Sequence, residues 1–169
     1  MTIKVIDNFL PIQEYNPIYD LITSDTFPWF ISNFKVYEGD GILQLNHYFY
    51  NGITTQSPFL KLLEPIYLKL KIIAPMRIKA NCTFGQPKKI QTNFHIDGSM
   101  FDTTNRKTAI FYLSNTNGQT LFKDKKEEIE CKQNRLIVFD SCHEHAAVLH
   151  KGESTSKRIV INFNYYSDI

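Results

Sequence analysis

Four residues with metal-binding or acid-binding side chains stand out in this sequence: His95, Asp97, His145 and Arg158. Two imidazoles and one carboxylate are the ligand set of mononuclear non-haem iron(II) sites, which leave one face of the metal octahedron open. A strand places side chains i and i+2 on one face, so His95 and Asp97 in a strand would face one ion together. Taken alone, the pair equally fits a histidine at a strand end beside a turn-forming aspartate.

The third ligand is expected among the histidines at positions 143, 145 and 150. Residues 135–139 read as an apolar strand and residues 140–144 as a polar connection, so His145 opens a second strand. We therefore predict His145 as the ligand. His143 shares its parity and stays the alternative, whereas His150 lies on the opposite face and is expected to be a solvated loop histidine.

The clearest strand runs from Arg158 to Tyr166. Its alternation separates a polar face from an apolar one. The polar face carries Arg158, Val160, Asn162 and Asn164, and the apolar face carries Ile159, Ile161, Phe163 and Tyr165. Arginine binds a carboxylate through two parallel hydrogen bonds and stays charged when buried. We therefore predict that Arg158 binds an acid in an enclosed polar cavity, with an exposed strand arginine as the alternative.

Helical patterns are confined to the first part of the chain. Apolar residues at helical spacing predict a helix over 11–24, and a second helix is predicted over 57–72, which Pro65 kinks or restarts. Alternation predicts a strand over 42–50 between them. The aromatic segment 27–30, with Phe27, Trp29 and Phe30, is expected to pack in the core or at a sheet edge, with a substrate-facing wall as the alternative.

Strands follow one another from Arg77 onward. One is predicted over 91–95 and ends in the turn residues 97–99, a hairpin turn is predicted at 115–118, and a charged hairpin tip at 123–128. Helices first and strands afterwards favour an α+β fold, in which an antiparallel sheet sandwich is backed by helices on one face.

Composition agrees with a single globular domain and bears on the partners and compartment of the protein. A chain of 169 residues with 43% hydrophobic content builds an adequate core, and a net charge of +2 does not indicate nucleic-acid binding by charge alone. No apolar run approaches the roughly 18 residues that span a bilayer, so no membrane partner is expected. Cys82, Cys131 and Cys142 show no CxxC spacing, and no leader pattern follows Met1, so a reducing cytoplasm is expected.

The segment from Arg77 to Tyr166 resembles the 2-oxoglutarate- and Fe(II)-dependent dioxygenases, above all their prolyl 4-hydroxylase-like branch of small bacterial and viral proteins. The opening at residues 5–11 is also similar to that branch. The other matching stretches are, in chain order, 77–81, 95–97, 108–113, 117–122, 134–141, His145 and 158–163. The resemblance implies a single dioxygenase domain over 1–169, with its motif-bearing core at 77–166 and a double-stranded β-helix, or jelly roll, backed by N-terminal helices on one sheet.

The same resemblance implies roles for individual residues. His95, Asp97 and His145 would bind Fe(II), and Arg158 would hold the distal carboxylate of the co-substrate 2-oxoglutarate; these four are the expected catalytic residues. Tyr112 matches the tyrosine that grips the same carboxylate, with a core tyrosine as the alternative. Two further residues, Asn81 and Asn162, are predicted to line the cavity from strand parity and motif position.

The activity that the resemblance implies is hydroxylation of a C–H bond with O2, releasing succinate and CO2. It favours a prolyl or other side chain of a protein or peptide, and leaves lysine, a free amino acid and a small metabolite open. Nucleic acid is not expected, because the demethylase branch has a second arginine six residues after the acid-binding one, where this chain has Asn164. A noncatalytic cupin-like binding module and a zinc hydrolase are the alternatives from other classes, although the hydrolase gives Arg158 no role.

Overall fold

The computed structural model of the chain describes residues 2–32, 41–97 and 105–167. Its helices are α1 (Ile12–Thr23), a 3-10 helix (Pro58–Leu63) and α2 (Glu64–Leu70). Its strands are β1 (Lys4–Ile6), β2 (Phe30–Ser32), β3 (Gln44–Tyr50), β4 (Ile72–Phe84), β5 (Ile90–Gln91), β6 (Arg106–Tyr112), β7 (Thr116–Phe122), β8 (Lys125–Cys131), β9 (Arg135–Asp140), β10 (His145–Leu149) and β11 (Lys157–Ser167). None of the helices in these ranges combines the length and apolar character needed to cross a membrane.

The strands form two antiparallel sheets. The larger has seven strands in the order β1-β9-β6-β11-β4-β3-β2, and the smaller has four in the order β5-β10-β7-β8. Every pair of neighbouring strands runs antiparallel. The predicted α+β class, with a sheet sandwich, is therefore confirmed.

Two apolar clusters lie on opposite faces of the large sheet. On the outer face, side chains of the helices, such as Ile18 and Ile66, pack with Ile161 and Phe163 of β11. On the inner face, Val160 belongs to a second cluster that joins the two sheets. The predicted alternation of β11 and the packing of the N-terminal helices on one sheet are confirmed.

The second predicted helix is divided in two, as Pro65 indicated. A 3-10 helix ends at Leu63, and Pro65 then lies in the first turn of α2, where its missing N–H is not needed. Lys71 ends α2 in a left-handed conformation with φ of 50°. The next strand begins at Ile72, five residues before the predicted start at Arg77.

The predicted hairpin turn at 115–118 is wrong. Strand β6 ends at Tyr112 and β7 begins at Thr116, but the two strands belong to different sheets, so this segment crosses between them. Gly118 lies inside β7, next to a register shift in its pairing with β8. The hairpin tip is found instead between β7 and β8, where the charged segment 123–128 was predicted, although its residues from Lys125 onward belong to β8. Of the other predicted turn, Gly98 and Ser99 lie outside the described residues.

His47 is a buried polar residue in the helix-side core. Its Nδ1 lies 2.9 Å from the carbonyl oxygen of Pro28, and its Nε2 lies 2.8 Å from the Ser57 hydroxyl oxygen. A carbonyl only accepts, so Nδ1 donates its proton to Pro28 and Nε2 accepts from Ser57. Burial favours this neutral ring and lowers the pKa of His47 below the ordinary 6.5.

Stability is expected to fall in mild acid because of this histidine. The unfolded chain binds the extra proton once the pH drops through 6.5, whereas folded His47 does not until its own lower pKa is reached. One such group contributes a slope of at most about 1.4 kcal/mol per pH unit to the free energy of unfolding. Urea denaturation of the metal-free protein between about pH 5 and pH 7 measures this dependence of the free energy of unfolding on pH. His47→Gln should flatten the slope, and an unchanged slope in that variant would contradict the assignment.

Candidate metal centre

His95 and His145 face each other as a cross-strand pair. Each backbone N–H donates to the other residue's carbonyl, at 3.0 and 2.9 Å, and the ring centroids lie 4.5 Å apart. The strand predicted over 91–95 is only partly correct, since β5 ends at Gln91 and the chain then rejoins β10 at His95. The backbone N–H of Thr92 donates to the carbonyl of Ala147, and that of His95 donates to the carbonyl of His145. Three residues on this segment therefore span two residues of β10, so the segment carries one extra residue between these hydrogen bonds.

Asp97 completes a compact set of three candidate ligands. One atom from each of His95, Asp97 and His145 lies within 4.8 Å of the other two, and Nε2 of His145 is 3.7 Å from Oδ2 of Asp97. The Nδ1 atoms of the two rings lie 3.0 and 3.4 Å from the backbone carbonyls of His143 and Asn93. Carbonyls accept, so the Nδ1 atoms donate and the Nε2 atoms are the ones suited to a metal.

The Asp97 carboxylate is buried and held on both oxygens. Arg77 donates to Oδ1 at 2.9 Å, and Asn164 donates to Oδ2 at 3.0 Å. Burial alone would raise the pKa of Asp97, but His145, Arg77 and the Asn164 hydrogen bond lower it to about 2. The side chain is therefore ionised at neutral pH, as a metal ligand must be. The set of two neutral imidazoles and one carboxylate fits iron(II).

The other histidines lie apart from this set. His143 Nε2 is 3.6 Å from the carboxylate of Asp140, so the runner-up ligand is placed elsewhere. The expectation that His150 is solvated is wrong, because it is only 2% exposed and its Nε2 bonds the Ser156 hydroxyl at 2.8 Å. Cys142 is an exposed free thiol outside the candidate ligand set.

Arg158 lies in the same cavity as the two histidine rings, and this cavity is bounded by both sheets. Its lining residues are Asn81, His95, Ile110, Thr120, His145, Ala146, Ala147, Arg158, Val160 and Asn162. Arg158 is 4% exposed, yet its Nε has no hydrogen-bond partner among the described residues, and Nη2 makes a single long contact of 3.4 Å with Thr120 Oγ1. A buried guanidinium without a carboxylate partner is a site prepared for an anion.

The remaining predicted residues surround this guanidinium. Tyr112 is fully buried with its ring 5.7 Å below the Arg158 guanidinium carbon, and its hydroxyl lies 2.7 Å from Thr120 Oγ1. Asn162 lines the cavity with its Oδ1 unpartnered among the described residues. Asn81 also lines it and accepts a hydrogen bond of 3.0 Å from Gln44.

Four residues with contacts to this site were not identified from the sequence: Arg77, Gly118, Thr120 and Asn164. Arg77 and Asn164 also bond each other at 2.9 Å, so together they orient Asp97. A Cβ at position 118 would lie 2.9 Å from Arg158 Cδ and 2.8 Å from the Val148 carbonyl, so only glycine lets Arg158 lie this close to β7. Strand parity would have placed Arg77 on the face of Asn81, but nothing in the sequence shows which partner it meets.

The aromatic segment divides between two environments. Phe27 is buried in the helix-side core and Trp29 packs against it. Phe30 is 61% exposed and begins β2 at the edge of the large sheet. The expected packing therefore holds in the core for Phe27 and Trp29 and at the sheet edge for Phe30, whose ring lies 6.3 Å from that of His47.

Comparison with known proteins gives a uniform result at the level of structure. No protein-family profile matches the sequence, and no curated protein matches it. A 2OG-Fe(II) oxygenase family oxidoreductase from Burkholderia pseudomallei matches with a TM-score of 0.72 and 12% identity, over 97% of this chain and 84% of that one. The non-haem alpha-ketoglutarate-dependent epimerase SnoN from nogalamycin biosynthesis matches with a TM-score of 0.68 and 10% identity, over 98% and 78%.

A prolyl hydroxylase is also similar in structure. The viral collagen prolyl hydroxylase of Paramecium Bursaria Chlorella virus-1, solved as a 2OG complex, matches with a TM-score of 0.61 and 17% identity, over 99% of this chain and 97% of that one. Identities this low establish a shared fold rather than a shared activity. The chain therefore has the double-stranded β-helix fold of the 2-oxoglutarate- and iron-dependent enzymes, as the resemblance implied.

Proposed function

We propose that the protein is an Fe(II)- and 2-oxoglutarate-dependent dioxygenase that hydroxylates a substrate C–H bond. The overall reaction converts 2-oxoglutarate, O2 and R–H into succinate, CO2 and R–OH. His95, Asp97 and His145 would hold the metal, and Arg158 would bind the distal carboxylate of 2-oxoglutarate. The fold supports this proposal because similar structures belong to enzymes of this class.

The unpaired Arg158 is the observation that carries the proposal. A zinc hydrolase or a bare metal site needs no buried guanidinium facing its ligands, whereas a dicarboxylate that chelates the metal at one end needs a cation at the other. The Arg158 guanidinium, whose Nε has no partner among the described residues, and the hydroxyl of Thr120 would offer hydrogen bonds to the far carboxylate. Tyr112 would orient Thr120 through the 2.7 Å contact between their oxygens.

The protein's contribution is placement. The bound metal and co-substrate would supply the oxidising chemistry. Arg77 and Asn164 keep the Asp97 carboxylate ionised and fixed, and the backbone carbonyls of Asn93 and His143 set the ring orientations of the histidines. Apolar neighbours such as Phe139, whose ring meets His145 edge-on at 4.9 Å, limit the access of water to this side.

We propose a prolyl or other side chain of a protein or peptide as the substrate, with a small metabolite as the alternative. A similar structure is that of a collagen prolyl hydroxylase, which supports the first choice. SnoN, an epimerase with the same fold, supports keeping the second. A reducing compartment such as the cytoplasm fits the three free thiols, Cys82, Cys131 and Cys142.

Two measurements on the purified protein test the proposed function. Anaerobic addition of Fe(II) and 2-oxoglutarate should produce a weak visible charge-transfer band, and aerobic incubation should convert 2-oxoglutarate slowly to succinate without any added substrate. A noncatalytic binding module would give the band without succinate. A zinc hydrolase would be stabilised by Zn(II) in a thermal-shift assay but gain nothing from 2-oxoglutarate. Absence of both the band and succinate would refute the proposal.

Gly118→Ala is expected to weaken 2-oxoglutarate binding without affecting the metal. The new methyl group has to displace the Arg158 stem or the Val148 backbone, because both lie within 3.0 Å of its position. A displaced Arg158 loses part of its hydrogen bonding to the far carboxylate, and a hydrogen bond to a charged group is worth about 1.5–3 kcal/mol, or roughly 10- to 150-fold in affinity. Calorimetric titration of the Mn(II)-loaded protein with 2-oxoglutarate measures the loss. Equal losses of Mn(II) and 2-oxoglutarate affinity would instead indicate general damage to the fold.

A further inference from the structure

Lys79 lies beside the candidate metal centre and has no role in the proposed function. On the inner face of β4, Arg77, Lys79 and Asn81 follow one another at alternate positions. Arg77 is paired with Asp97 and Asn81 is bonded to Gln44. Lys79 makes no hydrogen bond or ion pair with any described residue, although it lies between the other two.

Sheet register places Lys79 between the cavity and an exposed edge. On one side it pairs with Asn162 of β11, which lines the cavity, and on the other with Tyr48 of β3. Residues paired across neighbouring strands share a face, so these three side chains form a row that leads out from the cavity.

The aromatic ring of Tyr48 ends this row toward the edge of the sheet. Lys79 Nζ lies 5.2 Å from the Tyr48 ring centroid, and Tyr48 is 38% exposed. The exposed part of the Tyr48 ring leaves an apolar surface next to the ammonium group.

The charge of Lys79 is costly in this position. Burial, followed by the repulsion of Arg77, lowers the pKa of Lys79 to about 8, and the attraction of Asp97 opposes both. Asp97 is already held by Arg77 and would share its charge with a metal. A divalent ion would add positive charge to the site, which would attract an incoming anion toward this end of the cavity.

Two of the three cations of the site already have a partner or an expected ligand. Arg77 binds Asp97, and Arg158 is assigned to 2-oxoglutarate in the proposed function, on which this step rests. We infer that Lys79 binds a carboxylate of the primary substrate while Tyr48 contacts its apolar part. The substrate class is thus a carboxylic acid whose acid group lies close to the oxidised C–H bond, either free or at the end of a peptide.

Matched acids and amides test this inference. The protein is loaded with Mn(II) and 2-oxoglutarate and titrated calorimetrically with N-benzoyl-L-proline, N-benzoyl-L-leucine and the primary amide of each. The acids should bind at least about tenfold more tightly than their amides, because a hydrogen bond between two charged groups is stronger than one to a neutral amide. Lys79→Met should remove that preference, Lys79→Arg should keep most of it, and Lys157→Met, at an exposed lysine on β11, should leave it unchanged.

The outcomes separate this inference from the proposed function. Equal binding of acids and amides, or absence of binding by both acids, overturns the assignment of Lys79 even if 2-oxoglutarate binds well. A Lys79→Met loss of 2-oxoglutarate affinity as large as its loss of acid affinity also overturns it, because Lys79 would then belong to the co-substrate site. If wild-type protein binds no 2-oxoglutarate, the proposed function fails, and acids titrated against the Mn(II) form still report on Lys79.

Discussion

Alanine in place of His145 is expected to lower the affinity for Mn(II) by more than about a hundredfold and to abolish succinate formation. Residues that merely orient a metal ligand change affinity by about 10- to 100-fold, so loss of a ligand itself should cost more. His145 is 3% exposed and lies 3.7 Å from the Asp97 carboxylate, so water cannot easily replace its imidazole. Titration with Mn(II), followed by electron paramagnetic resonance of the free ion, measures the change.

His143→Ala is the matched control for this prediction. The two histidines are two residues apart and both were candidates from the sequence, but His143 faces the Asp140 carboxylate at 3.6 Å rather than the other ligands. Its replacement should leave Mn(II) affinity within about twofold of wild type, a change below 0.5 kcal/mol. Equal losses in the two variants, with both still folded by circular dichroism, would refute the assignment of the third ligand.

The core of the site was predictable because it depends on local rules. The i and i+2 spacing predicted that His95 and Asp97 lie together, which holds although both lie beyond the end of β5, and the alternation of β11 predicted that Arg158 and Asn162 line a cavity. The apolar partners of β11 follow the same rule, since Ile161 faces the helices. Periodicity of 2 fixes such faces from the sequence alone.

Contacts between distant strands were not predictable in the same way. Asn164 was placed on the polar face of β11 and otherwise noted only as a missing second arginine, yet it donates to Asp97 and also to Thr108, at 3.0 Å each. Gly118 was read as part of a turn, but it lies inside β7, where a side chain would collide with Arg158 of another strand. Sequence patterns indicate which way a side chain points, whereas its partner is decided by sheet register and by the packing of one sheet on the other.

The wrong prediction of solvent exposure for His150 has the same cause. His150 follows an apolar strand and looked solvated, but the segment after it folds back and supplies the Ser156 hydroxyl as its partner. The alternation of β10 correctly separated His150 from His145, but solvent exposure depends on what the chain does several residues later. From a single sequence, the face of a strand on which a residue lies is thus predicted more reliably than its exposure to solvent.

Methionine in place of Arg158 is expected to lower the affinity for 2-oxoglutarate by about thirtyfold or more. Removing one partner of a buried charge pair costs about 2–5 kcal/mol, because the other charge loses its hydrogen bonds as well. Arg158→Lys should recover part of the affinity, since lysine keeps the charge but lacks the planar fork that binds both carboxylate oxygens. Calorimetric titration of the Mn(II) form with 2-oxoglutarate gives both values, and Mn(II) affinity serves as the internal reference.

Stability of the metal-free protein distinguishes a binding role of Arg158 from a structural one. Without 2-oxoglutarate the guanidinium is buried, and its Nε has no partner among the described residues, so its charge destabilises the fold. An apolar side chain of similar length removes that cost, and Arg158→Met should therefore unfold at the same or a higher urea concentration than wild type. A structural arginine would give the reverse, with lower stability in the variant. Added 2-oxoglutarate should then stabilise wild type alone, by the amount that its affinity and concentration dictate.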